Sequence, residues 1–136
     1  MHRRNLPTFL FAISLAGLFT GCGARTGASA DKPPTEQQVI EAISKARADS
    51  WMGSAAWPTE RVETKVTDIQ FGGKVQKQVG YGEPAREVWA VKAKAASKVY
   101  LKNGTVKDDV QEMKSGEAYF FYRDAFGAWA FKWGSL

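Results

Sequence analysis

Residues 117–133 read EAYFFYRDAFGAWAFKW, from Glu117 to Trp133. Two aromatic-rich runs, Glu117 to Arg123 and Ala128 to Trp133, flank Asp124-Ala125-Phe126-Gly127. Strand-forming runs separated by Asp and Gly turn chemistry predict an antiparallel hairpin. Loop length then decides which side chains share a face, because the side-chain period of a strand is two. A loop of two or four residues sets Arg123 opposite Ala128, Tyr122 opposite Trp129, Phe120 opposite Phe131 and Ala118 opposite Trp133. Phe120, Tyr122, Trp129, Phe131 and Trp133 then form a core face, and Tyr119, Phe121, Arg123, Ala130 and Lys132 take the other. A three-residue loop shifts this register and undoes the assignment.

Upstream, Glu87 to Ala96 alternates cleanly. Trp89, Val91, Ala93 and Ala95 lie on one face, and Val88, Ala90, Lys92 and Lys94 on the other. Asn103-Gly104 is a hairpin signal. In Thr105 to Lys114, the spacing of Val106, Val110 and Met113 predicts a short helix or a loop. Val62, Thr64 and Val66 alternate in one phase, Ile69 and Phe71 in the other, which predicts a bulge near Thr67-Asp68. Gly72-Gly73 predicts a turn, and Tyr81-Gly82-Glu83-Pro84 a further break. Before the strands, Thr35 and Gln38 have the spacing of a capping box. Val39, Ile40, Ala42, Ile43 and Ala46 recur at helical spacing, and Gly53 is a stop, so a helix is expected from Thr35 to Met52. The loop Ser54 to Pro58 carries Trp57, the tryptophan expected to be exposed. The expected fold class is α+β. One N-terminal helix packs on a curled antiparallel sheet of four to five strands, in a single domain over residues 35–136.

One helix followed by a curled sheet resembles the cystatin-like and nuclear-transport-factor-like α+β folds over Thr35 to Trp133. The resemblance rests on element order and on the ending in which an aromatic strand is followed by Asp124, Gly127 and Trp129. The protease-binding string Gln-x-Val-x-Gly of cystatins is not found, because Gln76-Lys77-Gln78-Val79-Gly80 has other spacing, so protease inhibition is not implied. A single helix covers one face of a sheet, and the opposite face of an antiparallel sheet is usually solvated. That second face is expected to carry Tyr119 and Phe121 beside Lys92, Lys94, Arg123 and Lys132. Rings interleaved with cations suit a partner surface, an anionic glycan or a peptide. The competing reading is a plain solvated face, or one partly covered by Thr105 to Lys114.

At the N-terminus, Arg3-Arg4 precede an apolar stretch from Leu6 to Phe19 and then small residues, the order of a secretion signal. The stretch is shorter than the roughly 20 apolar residues of a membrane span. Thr20, Gly21 and Cys22 resemble the end of a bacterial lipoprotein signal, although Phe19 stands where leucine is usual. The resemblance implies a signal peptide over 1–21, lipid attachment at the Cys22 sulfur, and cleavage before it. It also implies acylation of the new N-terminus. An ordinary secretory signal with a stray cysteine is the alternative. Two or three acyl chains hold a protein on a membrane durably, where one does so marginally. Gly23 follows the cysteine, whereas in lipoproteins of enteric-type bacteria an aspartate there favours the inner membrane. The resemblance therefore implies an outer-membrane protein facing the periplasm if the host is Gram-negative. Gly23 to Pro34 has almost no bulky apolar side chain and is expected to be a flexible tether, so that residues 22–34 form the lipidated cysteine and linker.

Charge and composition bound the function. Losing Arg3 and Arg4 with the signal lowers the net charge from +5 to +3, a mild bias that is no nucleic-acid signature. The only histidine, His2, and the only cysteine, Cys22, are spoken for by the signal and the anchor. The mature chain then has no His general base, no Cys nucleophile and no His or Cys metal ligands. No cofactor and no metal site are expected; Asp108, Asp109 and Glu112 lack the glycine and spacing of a calcium loop. Carboxylate-only catalysis is left open, though no pair of Asp or Glu stands out. The expected function is a membrane-anchored cell-envelope lipoprotein with a non-enzymatic, protein-binding or assembly-accessory domain. Two alternatives are a periplasmic inhibitor or immunity-type lipoprotein that blocks a hydrolase or toxin, and a small-ligand carrier or carboxylate-only enzyme. The expected partners are the membrane, through Cys22, and an envelope protein; a homodimer is compatible with the sequence.

Overall fold

A computed structural model describes residues 32–136; the expected signal peptide, Cys22 and most of the tether lie outside the described residues. Helix α1 spans Glu36–Met52. Its start is the capping box: the Thr35 hydroxyl accepts from the Gln38 N–H at 3.2 Å, and the Gln38 side chain accepts from the Thr35 N–H at 2.9 Å. It ends at Gly53, which is right-handed (φ −83°) and donates its N–H to the Asp49 carbonyl at 3.0 Å. This glycine therefore stops the helix without the left-handed turn that usually calls for one. Val39 and Ile43 are fully buried, each contributing about 1.5–3 kcal/mol.

Five antiparallel strands follow: β1 (Thr59–Lys77), β2 (Arg86–Leu101), β3 (Val106–Gln111), β4 (Glu117–Arg123) and β5 (Trp129–Ser135). They form one open sheet in the order β1-β2-β4-β5, with β3 pairing the far half of β2. The fold is α+β. The bulge expected near Thr67-Asp68 is present: the register shifts between Thr67 and Gln70, and Asp68 has φ 55°. Gly72-Gly73 is not a turn. β1 runs through it with a second register shift, between Phe71 and Lys74. A Cβ on Gly72 would sit 3.0 Å from the Ala90 carbonyl oxygen, so the glycine serves a close approach of β1 to β2.

Residues 106–111, expected as helix or loop, form strand β3. Val106 and Val110 are exposed, so their spacing is not a core periodicity. The strand is held by its ladder to β2 and by Arg47 of α1.

The C-terminal hairpin has the three-residue loop. Asp124 N–H donates to the Ala128 carbonyl at 2.9 Å, Gly127 N–H donates to Asp124 O at 3.0 Å, and Gly127 takes φ 76°. The register is then Tyr119 with Trp133, Phe121 with Phe131, and Arg123 with Trp129. On β2, Phe121 faces Trp89 and Tyr119 faces Val91. This corrects the expected faces. Tyr119 and Phe121 are 1% and 0% exposed and pack against the helix side, while Phe120 and Tyr122 move to the opposite face. Arg123 moves with Tyr119 and Phe121, and its guanidinium lies 4.1 Å from the Trp129 ring centre. The expected partner face of Tyr119, Phe121, Lys92, Lys94, Arg123 and Lys132 is therefore split between the two sides of the sheet.

Two apolar clusters result. Under α1, Val39, Ile43, Val66, Val91, Ala93, Ala95, Tyr119 and Phe121 pack with Trp89, Trp129, Phe131 and Trp133. Tyr119 meets Phe131 edge-on at 5.0 Å and Trp133 at 5.6 Å. Across the sheet, Val88, Ala90, Ala118 and Phe120 pack with Val75, Val79 and Tyr122.

Candidate functional site

Two places on this scaffold bring chemistry together. The first is a polar network at the C-terminal end of α1. Arg47 Nε donates to the Ser97 hydroxyl at 2.6 Å, Nη1 to the Gln111 side chain at 2.9 Å, and Nη2 to the Asp109 carbonyl at 2.8 Å. The Asp109 carboxylate pairs with Nη2 at 2.8 Å and accepts from Trp51 Nε1 at 3.0 Å. Gln111 also accepts from the Tyr119 hydroxyl at 3.1 Å. Burial pushes the Tyr119 phenol above its ordinary value, and the Arg47 charge partly opposes this. Every group here has a partner, which is how a largely buried guanidinium is tolerated. Its work is to hold β3 against α1. The sequence hid it, because Arg47 lies on what reads as the polar side of the helix.

The second place is the face of the sheet away from α1. Gln70, Phe71, Gly72, Gly73, Val75, Ala90, Lys92, Ala118 and Leu136 line a groove of about 290 Å³. It exists because four of its residues are glycine or alanine. Gly72 must be small to clear Ala90, whereas a Cβ on Gly73 meets nothing within 4 Å. No Asp or Glu side chain is among the lining residues, and Lys92 is the one charged side chain there. The groove has the make-up of a binding trough, apolar with one cation to orient a ligand.

The remaining expected residues fall as follows. Lys92, Lys94 and Lys132 share the groove side of the sheet. Lys94 pairs with Glu112 at 2.8 Å; each partner stabilises the other's charge, raising the lysine and lowering the glutamate from their ordinary values. The Lys132 ammonium reaches the Gln78 carbonyl at 3.3 Å. Trp57 is exposed, with the Lys107 ammonium 3.4 Å from its ring centre. Asp108, Asp109 and Glu112 do not converge, and no metal-binding group of His, Cys, Asp or Glu is found among the described residues. No helix among the described residues is long and apolar enough to cross a membrane.

Compared with known proteins, the chain matches no family model, no curated protein and no solved structure.

Proposed function

We propose that the chain is an exported lipoprotein, anchored at Cys22, whose cystatin-like domain is a non-enzymatic module that binds an envelope protein. The groove supports this most directly. A solvated sheet face normally alternates to Thr, Lys and Glu, but Val75, Ala90, Ala118 and Leu136 give this one an apolar trough. An extended apolar segment of a partner fits it, with a carboxylate of that segment on Lys92. The helix-first order and the long β1–β2 hairpin support the cystatin-like arrangement.

Gly73 gives the test. Gly73→Leu projects a side chain into the trough where the backbone has space for it. A cross-linking pull-down of the full-length protein from its own envelope is expected to recover a stoichiometric partner, and Gly73→Leu to lose it while melting like the parent. Recovery of the same partner by both forms would remove the groove from the reading. A partner that is a hydrolase silenced by the complex would replace assembly with inhibition. The anchor is tested separately: Cys22→Ser is expected to take up no acyl label and to remain uncleaved before residue 22.

A further inference from the structure

The β1–β2 connection and the β4–β5 loop lie at one end of the sheet. Arg86, at the start of β2, donates to the Arg123 carbonyl at 2.8 Å, and Lys132 of β5 donates to Gln78. Each loop presents one aromatic side chain: Tyr81 is fully exposed and Phe126 is 95% exposed. Neither ring stacks on another group among the described residues. The fold does not require a phenylalanine at 126. Asp124 sets that turn by accepting the amides of Phe126 and Ala128, both at 2.9 Å, and Gly127 supplies the left-handed residue. Turn tips ordinarily carry small polar residues.

The same end is basic. Arg86, Arg123 and Lys132 stand there, against Glu83, Glu87 and Asp124, whereas Lys77 directs its ammonium back to the Ser135 carbonyl and the Phe120 ring. Of those carboxylates, Glu87 faces Lys74 at 3.8 Å, Glu83 folds back over Gly80 in its own loop, and Asp124 is taken up by the turn. The start of the domain points the same way. The Thr59 hydroxyl donates to the Trp51 carbonyl, fixing the end of α1 at the start of β1. Val39 and Ile43, nearer the helix start, cluster with Val66 and Ile69, so the helix runs back along β1 toward these loops. The eight residue steps from Ile69 to Lys77 cover about 26 Å. The ten residue steps from Cys22 to Lys32 reach at most about 35 Å.

We infer that this end of the domain seats on an anionic lipid bilayer, with Tyr81 and Phe126 at headgroup depth and the surrounding cations on the lipid phosphates. Exposed aromatic tips with flanking cations are suited to the membrane–water boundary. The contact is a second membrane signal beside the acyl group. It rests on the anchored-lipoprotein reading for its setting, and it leaves the groove on the sheet face open to a partner.

The test uses the chain from residue 22 with Cys22→Ser. It carries α1, all five strands and both apolar clusters, and it has neither a lipid nor a thiol. A single cysteine is placed by Tyr81→Cys, Phe126→Cys or Lys102→Cys, the last at the opposite end, and labelled with a polarity-sensitive fluorophore. With vesicles of equal parts phosphatidylglycerol and phosphatidylcholine, the labels at 81 and 126 are expected to brighten and shift blue, and the label at 102 to stay unchanged. Lys132→Gln is expected to weaken vesicle binding about fivefold. Silence at 81 and 126, an equal response at 102, or an equal response to pure phosphatidylcholine would overturn the inference. Because this protein bears no acyl group, such a failure leaves the Cys22 anchor untouched. Conversely, an unacylated native chain would leave the vesicle result standing.

Discussion

Phe121→Ala tests the register of the C-terminal hairpin, and with it which face of the sheet is the core. Phe121 is 0% exposed and lies 5.3 Å from the Phe131 ring, 6.4 Å from Trp129 and 6.5 Å from Tyr119. Truncation removes the ring from a cluster held from both sides by α1 and the sheet, so the cavity cannot collapse freely. The expected cost is about 4 kcal/mol, from the range of buried Phe→Ala changes. Against a total stability of about 5–15 kcal/mol for a domain, that is a large share. Urea unfolding followed by tryptophan fluorescence is the assay. With a slope of about 2 kcal/mol per molar, the midpoint is expected to fall by about 2 M. Phe126→Ala is the control, the same chemistry five residues away at 95% exposure, and is expected to change stability by less than about 0.5 kcal/mol. Phe121→Leu supplies a milder step if the alanine variant does not fold. A cost below about 1 kcal/mol for Phe121→Ala would refute the three-residue loop and restore Tyr119 and Phe121 to the open face.

Three further outcomes are expected. Arg47→Met should destabilise the domain by about 2–4 kcal/mol, because Ser97, Gln111 and the Asp109 carbonyl lose a charged donor; amide exchange across Val106–Gln111 should accelerate most. Gly72→Ala should cost about 1–3 kcal/mol by pressing on the Ala90 carbonyl, whereas Gly73→Ala should be neutral or stabilise by about 0.5 kcal/mol; thermal melts separate the two. Tyr119 has a raised phenol value in the folded state, so its share of stability is intact below the unfolded phenol value, about 10, and is lost as pH rises through the folded one. Tyr119→Phe should flatten the fall of the urea midpoint at alkaline pH, and an unchanged slope would place the phenol in water.

The helix was legible because its signals are local. Thr35, Gln38 and the spacing of Val39 and Ile43 need no knowledge of the rest of the chain, and the bulge at Asp68 announced itself by a change of phase within one strand. The hairpin faces were not legible, for a definite reason. Asp124-Ala125-Phe126-Gly127 is four residues of turn chemistry, but Asp124 pairs with Ala128 and belongs to the ladder, leaving a three-residue loop. One residue of loop length exchanges every side chain of β4 between core and surface relative to β5. Both faces of β4 carry aromatics, so hydrophobicity could not arbitrate. Gly72-Gly73 misled in the opposite sense, since a pair of glycines marks a turn and a close strand approach equally well. β3 was obscured because what holds it is a guanidinium from a helix more than fifty residues upstream.

That correction changes what the second face can do. With Tyr119 and Phe121 in place, the open side would have been an aromatic platform with loose cations, suited to stacking on a flat ligand. With them withdrawn under α1, small residues dominate there, and the surface becomes a trough between Phe71, Val75 and Leu136 with Lys92 at its side. The binding proposed above would then depend on shape, on filling the space left by Gly73, Ala90 and Ala118, more than on charge or stacking. The two most exposed aromatic side chains, Tyr81 and Phe126, stand at the loop tips. If the domain is anchored and seated as proposed above, the loop tips take the bilayer and the trough, on the sheet face, is left for the partner.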